Sequence, residues 1–375
     1  MARRTIIFAQ LGAFSFTNDA LSAQLSRNLG DFNIETVRLF DTVRGNIPLI
    51  AVNILAEIFQ YGPSVIGNRA KAIGLFVKTP NLFRTLSGAF QARFADRGDI
   101  AAVFQTQGLF NAHLRGAPLI CYIDNTLQNK ACRPPGAGIP RTPKAIIELE
   151  RQLYEQADAI AVSASHVGQS LLEDYGCDPK KIVTVYIGAN APFAGPPASD
   201  DRYARQRILF VGIDWERKGG PDLIAAFKTI AQRYPSAELT IVGADPAVSH
   251  PRIKVLGRRP PAEVASLIAE SSIFCLPSLV EPSSVALIEA CRGGLPVVAT
   301  RLGGFLDSVD DQQTGLLVPP HDPPSLVSAL SRLLDRPDLC AAMGKAGAAK
   351  VAALFDWDVV GPKIATVIRG QIGPA

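Results

Sequence analysis

Short apolar runs alternate along the chain with longer segments whose apolar residues recur at helical spacing. The runs at residues 6–9, 100–106 and 297–300 are rich in β-branched and aromatic side chains, which predicts strands buried on both faces. The segments between such runs predict amphipathic helices. Strands that alternate with helices indicate an α/β protein built on parallel sheets.

Residues 274–304 predict one complete strand-loop-helix-loop-strand unit. The helix begins near Ser283 or Ser284, either of which can cap it, and residues 293–296 end it before the next strand. In a doubly wound sheet, loops at the carboxyl ends of strands line the ligand crevice. A helix amino terminus at that edge favours anions. Glu281 in the loop and Glu289 in the helix are therefore candidate ligand contacts.

Residues 191–206 predict the boundary between two domains. They begin with a stretch rich in proline, glycine and alanine that favours neither helix nor sheet, whereas both flanking regions are regularly patterned. A length of 375 residues also suits two separate cores. We expect a first domain at residues 1–190, a linker at 191–206, a second domain at 207–355 and a final helical segment at 356–375.

Composition and charge narrow the class of protein. A net charge of +4 is too small to indicate a nucleic-acid-binding face, and 47% of the residues are hydrophobic. The six cysteines lack metal-ligand spacing and are expected to be reduced thiols. No secretory signal begins the chain, and no apolar run has the length of a membrane span. We therefore expect a cytoplasmic protein.

A basic turn in the second domain is a candidate anion site. Arg217 and Lys218 follow the strand that ends at Gly212 and precede the glycines that open the next helix. The planar guanidinium and the compact ammonium group both suit diphosphate oxygens. Fixed cations at that position stabilise the charge that builds up on a departing diphosphate. Solvated surface charges remain the alternative for this pair.

The first domain carries fewer signals. Gly12 lies in the turn after the first strand, where it is either a phosphate contact or a simple tight turn. Asp124 ends a later strand at the crevice edge and can accept hydrogen bonds from hydroxyl groups. Residues 48–95 interleave basic and aromatic side chains, which fits either peripheral contact with an anionic membrane or an ordinary pair of surface helices. Residues 130–141 predict an irregular loop that could act as an acceptor-side lid.

Around the two glutamates, the string P-S-x-x-E-P-x-x-x-x-L-I-E-A-x-x-x-G-x-P-V-V-A-T resembles the carboxyl-domain signature of the retaining "group 1" glycosyltransferases, glycosyltransferase family 4. Lys218 followed by Gly219 is similar to the same family's basic turn. The resemblance implies the GT-B fold, with two Rossmann-like doubly wound domains that face each other across a cleft. It also implies that the last helix braces the first domain.

The same resemblance implies roles for individual residues. Glu289 would hold the ribose hydroxyls, Glu281 would contact the donor sugar, and Lys218 with Arg217 would bind the diphosphate. The remaining implied donor contacts are Gly12, Gly212, Gly257, Arg258 and the backbone of Ser283, Ser284 and Val285. Two departures stand out: Asp124 occupies the place of a histidine that touches the transferred sugar, and Ser283-Ser284 replaces a common Phe-Gly pair.

The implied activity is metal-independent, retaining transfer of a sugar from a UDP- or GDP-sugar to a hydroxyl of a glycan, polysaccharide or glycolipid acceptor. The nucleotide sugar is a co-substrate, so no cofactor is expected. Two alternatives remain open: a non-catalytic nucleotide-sugar-binding protein and a GT-B sugar-nucleotide epimerase. We expect a cytoplasmic location, at the inner face of the membrane if residues 48–95 contact lipid.

Overall fold

The computed structural model describes residues 3–12, 17–62, 74–131, 142–190 and 200–372 of the chain. The chain divides into two compact units. The first contains residues 1–129, 138–185 and 361–375, and the second contains residues 130–137 and 186–360. Each unit has its own parallel sheet covered by helices, which confirms the predicted α/β class.

The first unit is built on a six-stranded sheet in the order β2-β1-β3-β4-β5-β6, and all its strand pairs are parallel. The strand order reverses between β1 and β3, which is the switch point where doubly wound sheets bind ligands. The strands are β1 (Thr5–Gln10), β2 (Asn33–Arg38), β3 (Ile100–Thr106), β4 (Leu119–Ile123), β5 (Ala159–Val162) and β6 (Ile182–Thr184).

Helices lie between the strands of the first unit, as the sequence predicted. They are α1 (Thr17–Asn28), α2 (Phe40–Val43), α3 (Ile47–Tyr61), α4 (Pro80–Phe94), α5 (Lys144–Gln156) and α6 (Ser165–Glu173). Thr79 caps α4 by accepting a hydrogen bond from the Leu82 backbone N–H at 3.3 Å. Helix α5 begins at Lys144, and its cap residue is Pro143, which has no side-chain hydrogen bond to offer.

The aromatic side chains of α4 face the core. Leu82, Phe83 and Phe90 are buried, and they pack into the main hydrophobic cluster of the first unit. The basic residues Arg84 and Arg93 of the same helix are exposed. This half of the basic aromatic pattern therefore has the geometry of an ordinary surface helix, because its apolar face is already covered by protein.

The second unit repeats the architecture with a sheet in the order β12-β11-β10-β7-β8-β9, again parallel. Its strands are β7 (Arg207–Gly212), β8 (Glu238–Gly243), β9 (Ile253–Gly257), β10 (Ile273–Leu276), β11 (Val297–Thr300) and β12 (Gly315–Val318). Its helices are α7 (Gly220–Arg233), α8 (Pro261–Glu270), α9 (Val285–Arg292), α10 (Phe305–Ser308), α11 (Pro323–Leu334) and α12 (Pro337–Leu354).

The end of the predicted linker is ordered as part of the second unit. Asp200–Arg205 forms a short 3₁₀ helix, which the composition of residues 191–206 did not predict. Its buried Arg202 donates hydrogen bonds to the backbone carbonyls of Gly293 and Gly294 at 2.9 and 3.0 Å. These carbonyls follow the last turn of α9, where unpaired backbone acceptors attract a cation. Residues 191–199 lie outside the described residues.

The last helix, α13 (Trp357–Gln371), is shared between the units. Its residues through Val360 belong to the second unit, and those from Gly361 onward belong to the first. Within the first unit, Arg369 donates hydrogen bonds to both carboxylate oxygens of Asp31, at 2.8 and 2.6 Å. In the part of the chain that the structure describes, none of the helices combines the length and the apolar character needed to cross a membrane.

Two glycines of helix α12, Gly344 and Gly347, differ in how closely the rest of the second unit packs against them. A Cβ added at Gly344 would lie 2.0 Å from the Gly294 carbonyl oxygen, whereas one at Gly347 would meet nothing closer than 3.7 Å. We expect Gly344→Ala to lower the free energy of unfolding by about 1–3 kcal/mol through overpacking. Gly347→Ala should leave it unchanged or raise it by up to about 1 kcal/mol, since alanine favours helix.

Denaturant unfolding followed by tryptophan fluorescence measures both variants, because Trp215 and Trp357 lie in the second unit. Equal midpoints for the two alanine variants would contradict the close approach of α12 to the end of α9.

Candidate functional site

The switch point of the second sheet lies between β7 and β10. These strands are adjacent and parallel, with Ile208 opposite Ile273 and Leu209 opposite Phe274. The segments that follow them therefore emerge side by side at the carboxyl edge of the sheet. Lys218 follows β7 and Glu281 follows β10, so the topology alone brings the two predicted site residues close together.

Two glycines determine where Lys218 lies. Gly212 ends β7, and a Cβ there would approach Cγ of Lys218 to 3.0 Å, so glycine leaves room for the lysine stem. Gly219 has a φ of +71°, and a Cβ there would lie 1.8 Å from the carbonyl oxygen of Pro277. Both the left-handed conformation and the close approach require glycine at position 219.

The ammonium group of Lys218 forms an ion pair with Glu281. The two side chains are 12% and 3% exposed, and the Ser278 hydroxyl donates a further hydrogen bond to the same carboxylate oxygen at 3.0 Å. Desolvation lowers the pKa of Lys218, and the nearby carboxylate of Glu281 opposes that shift. The pair therefore keeps a cation in a mostly buried position at the crevice edge.

Arg217 is placed differently from its neighbour. Its guanidinium binds the carboxylate of Asp214 at 3.0 Å and donates a hydrogen bond to the Val280 carbonyl at 2.8 Å. The Leu279 N–H donates to the Arg217 carbonyl at 2.8 Å. Arg217 thus joins the turn after β7 to the loop after β10, and its guanidinium already has two protein acceptors.

Helix α9 presents its amino terminus at the same edge. Ser284 caps it by accepting a hydrogen bond from the Leu287 N–H at 3.3 Å, which confirms one of the two predicted caps. Val285 is its first residue, and Glu289 lies half-buried in its second turn. Ser283 turns its hydroxyl to the Pro282 carbonyl at 2.8 Å. The predicted donor contacts after β10 thus share one loop and one helix.

Gly257 and Arg258 lie further along the same edge. Gly257 ends the edge strand β9 with a φ of +64°, and a Cβ there would meet no atom within 4 Å. Arg258 is exposed. Both residues belong to the second unit, but β8 separates their strand from β7.

Two predicted site residues belong to the first unit. Gly12 follows β1, and its carbonyl accepts a hydrogen bond from Asn18 Nδ2 at 2.6 Å. Asp124 comes directly after β4 and is half-buried. Desolvation raises the pKa of Asp124 to about 6, and the positive charge of Lys78 moderates the shift. The predicted site residues are therefore divided between the units. Gly12 and Asp124 belong to the first unit, and Lys218 and Glu281 belong to the second.

Sequence reasoning missed the contribution of Ser278. Its hydroxyl binds Glu281, and its carbonyl accepts a hydrogen bond from Thr300 Oγ1 at 2.5 Å, which ties β10 to β11. A hydroxyl residue directly after the Pro277 that ends a buried strand was the available signal. The predicted lid falls on residues 130–141, of which 132–141 lie outside the described residues.

This arrangement can bind an anion and position hydroxyl groups. A buried ammonium group, a capped helix amino terminus and two carboxylates occupy one edge of one sheet. Among the residues that the structure describes, no group of three or more His, Cys, Asp or Glu side chains is arranged to hold a metal ion.

Comparison with known proteins gives one family match and several curated relatives. The family described as Glycosyl transferases group 1 matches residues 205–336. The D-inositol 3-phosphate glycosyltransferase of Corynebacterium aurimucosum is 32% identical over 56% of this chain and 56% of its own length. The glycogen synthase of Mycobacterium tuberculosis H37Rv is 27% identical over 60% of this chain and 58% of its own length. The chain thus spans less than two thirds of these relatives.

Solved structures resemble the whole chain. Sucrose-phosphate synthase from Thermosynechococcus elongatus matches 98% of this chain and 99% of its own with a TM-score of 0.72 at 20% identity. Anabaena HepE in complex with UDP and glucose matches 98% of this chain and 100% of its own with a TM-score of 0.66 at 14% identity. At such identities the likeness shows the fold alone, which is GT-B with two Rossmann-like units. Over residues 205–336, which include Lys218 and Glu281, the chain is similar to the group 1 glycosyltransferase family.

Proposed function

We propose that the protein is a retaining glycosyltransferase that moves a sugar from a nucleotide-diphosphate donor, a UDP- or GDP-sugar, to a hydroxyl acceptor. The observation that carries the proposal is the Lys218–Glu281 pair at the switch point of the unit that matches the family. The relatives, among them a glycosyltransferase and a glycogen synthase, support the same class of activity.

The chemistry follows from where charge changes during transfer. Cleavage of the bond between sugar and diphosphate leaves negative charge on the departing diphosphate, and a fixed cation there stabilises the transition state more than the ground state. Lys218 is that cation, and the amino terminus of α9 adds backbone N–H groups. Glu289 accepts hydrogen bonds from the ribose hydroxyls. The departing diphosphate assists the incoming hydroxyl on the same face, so no side-chain nucleophile is assigned.

We further propose that the transfer requires no metal ion. In many sugar transfers a divalent cation neutralises the diphosphate. Here Lys218 is positioned for that task, and the Glu281 carboxylate, which opposes the lowering of the Lys218 pKa, favours its charged form. Activity that persists after treatment with a chelator is the expected result.

The acceptor is proposed to be a glycan or a lipid-linked saccharide bound by the first unit, with Asp124 at the crevice edge of that unit. The protein then works in the cytoplasm, with peripheral contact to the membrane when the acceptor is lipid-linked. The similar structure of Anabaena HepE is a complex with UDP and glucose, which supports a nucleotide-sugar partner.

Ligand stabilisation tests the donor site directly. A nucleotide sugar that binds only the native state should stabilise it by about 2.7 kcal/mol at a concentration of 100 Kd, and Tm should rise accordingly. We expect one class among UDP-, GDP-, ADP- and dTDP-sugars to stabilise the wild type. Lys218→Ala and Glu289→Ala should each lose most of that shift, whereas Lys228→Ala, an exposed lysine of α7, should keep it.

Stabilisation that survives in both site variants would place the ligand elsewhere. If the protein binds the donor but neither transfers nor hydrolyses its sugar, a non-catalytic nucleotide-sugar-binding protein would be favoured. Interconversion of two nucleotide sugars without an acceptor would instead favour an epimerase.

The Glu281 carboxylate has two separable roles, contact with the donor sugar and support of Lys218. Without that carboxylate, the lowered pKa of Lys218 should fall further, since desolvation then acts with Arg217 and only Asp214 opposes it. In Glu281→Gln, binding of the bare nucleoside diphosphate should therefore weaken. As the pH is raised, that binding should disappear at a lower pH than it does in the wild type. Titration calorimetry across pH measures both effects.

Glu281→Asp is the conservative control and should restore part of the affinity. If Glu281→Gln binds the bare diphosphate as well as the wild type and loses affinity only for the nucleotide sugar, then Glu281 acts on the sugar and not through Lys218.

Ionisation of Asp124 should lower the stability of the folded protein as the pH rises. Its raised pKa means that the folded state holds the proton more tightly than the unfolded state between about pH 4 and pH 6. Above that window the ionised carboxylate destabilises the fold. The Tm of Asp124→Asn relative to the wild type should therefore rise as the pH increases from about 4 to 6 and then level off.

Thermal unfolding at a series of pH values measures this difference. Asp96→Asn, at an exposed position of the same unit, is the matched control and should show no such trend. A difference between Asp124→Asn and the wild type that is constant with pH would show that desolvation does not raise the pKa of this carboxyl.

A further inference from the structure

Helix α3 exposes apolar side chains along one face. Phe59, Leu55 and Val52 are 95%, 67% and 53% exposed, and Ile47 at the first position of the helix is also exposed. Val52, Leu55 and Phe59 are spaced by three and four residues, so they form one continuous line on the helix surface. We call these three residues the α3 stripe.

The opposite face of α3 is polar and buried. Asn53 and Glu57, one turn apart, are both almost fully covered. Asn53 donates a hydrogen bond to the Phe76 carbonyl at 2.8 Å and accepts one from the Thr79 hydroxyl. Burial raises the pKa of Glu57, which favours its neutral form. The protein therefore covers the polar side chains of α3, and Leu49 and Ile50 near the start of the helix also pack against the hydrophobic cluster of the first unit.

Polar contacts hold this orientation at the end of the helix as well. Tyr61 and Gln60 both donate hydrogen bonds to the Lys78 carbonyl, at 2.9 and 3.1 Å. Rotating α3 to bury the stripe would break these bonds and those of Asn53. Contiguous exposed apolar surface of this kind marks an interaction site, since water contact with it is unfavourable.

The charge of the neighbouring chain indicates the partner of the stripe. The described residues 44–62 and 74–93 contain four basic residues and a single acidic one, the buried Glu57. The basic residues are Arg44, Lys78, Arg84 and Arg93, of which Arg93 is paired with Glu35. A second protein surface would be expected to meet this region with acidic side chains, but α3 itself presents only apolar ones. An apolar helical face in a mainly basic stretch of chain fits the interface of an anionic bilayer, where apolar burial and attraction to lipid headgroups act together.

We propose that the α3 stripe docks the first unit onto an anionic lipid bilayer. The helix would lie in the plane of the interface with Phe59, Leu55 and Val52 among the acyl chains. This assignment gives a surface to the membrane contact in the proposed function, and it moves that contact from the aromatic residues of α4, which are buried, to α3.

Vesicle sedimentation tests the proposal. The wild type should bind vesicles of mixed phosphatidylglycerol and phosphatidylcholine, and it should bind phosphatidylcholine alone more weakly. Binding to the anionic vesicles should fall as salt is added. Leu55→Asp and Phe59→Asp should each reduce that binding by about tenfold, because they remove apolar burial and add repulsion. Leu172→Asp is the matched control, an exposed leucine on α6 of the same unit, and should bind as the wild type does.

Insertion has its own spectroscopic signature. Phe59→Trp should show a blue shift of its emission with anionic vesicles and should be quenched by brominated lipid, whereas Leu172→Trp should show neither. Because the stripe is exposed in the folded protein, all these variants should keep the wild-type Tm and its shift with a nucleotide sugar. If no nucleotide sugar raises the Tm of the wild type, the proposed transferase function would be contradicted. The result of the vesicle assay would still stand by itself.

Three outcomes would overturn the proposal. The first is no binding of the wild type to anionic vesicles. The second is equal binding by wild type, Leu55→Asp and Phe59→Asp. The third is a wild type that is dimeric by light scattering, becomes monomeric on Phe59→Asp and does not bind vesicles, which would make the stripe a contact between two copies of this chain.

Discussion

A lysine that is mostly buried needs a nearby carboxylate, and this requirement organises the second unit. Lys218 and Glu281 are distant in sequence, and only the adjacency of β7 and β10 at the reversal of strand order brings them together. Removing one partner of such a pair would leave an uncompensated buried charge, which typically costs about 3–5 kcal/mol. The glycines at 212 and 219, the hydroxyl of Ser278 and the bonds of Arg217 all act to maintain that pair.

The two units differ in how much of their chemistry is fixed within the unit itself. The second unit contains a cation, its counter-ion, a capped helix amino terminus and a half-buried glutamate at one sheet edge. The first unit contributes Asp124, whose raised pKa places its ionisation close to neutral pH. The contrast fits the proposed function, because a diphosphate needs a nearby positive charge, whereas hydroxyl groups can be held by a neutral or an ionised carboxyl.

The sequence predicted the second unit better than the first for a physical reason. The strands Ile273–Leu276 and Val297–Thr300 are apolar except for Thr300, and Pro277 and Pro296 flank them, so the pattern predicted them well. Ser284 was also among the predicted caps. The fold of Asp200–Arg205 depends on Arg202 reaching carbonyls distant in sequence, and a local pattern contains no such information. The exposed face of α3 was also not predictable, since an apolar helix normally buries its apolar side. The residue-level roles at the donor edge remain predictions from resemblance.

The close approach of Gly219 to Pro277 has a consequence for how the site responds to ligand. The turn after β7 and the exit of β10 touch backbone to backbone, with no side chain between them that could change rotamer. A displacement of one segment must therefore carry the other with it. This edge of the second unit, where the diphosphate is proposed to bind, is consequently preorganised, so a ligand would cost little conformational entropy there. Because this contact is stiff, side chains and other parts of the chain would have to adapt to sugars of different size.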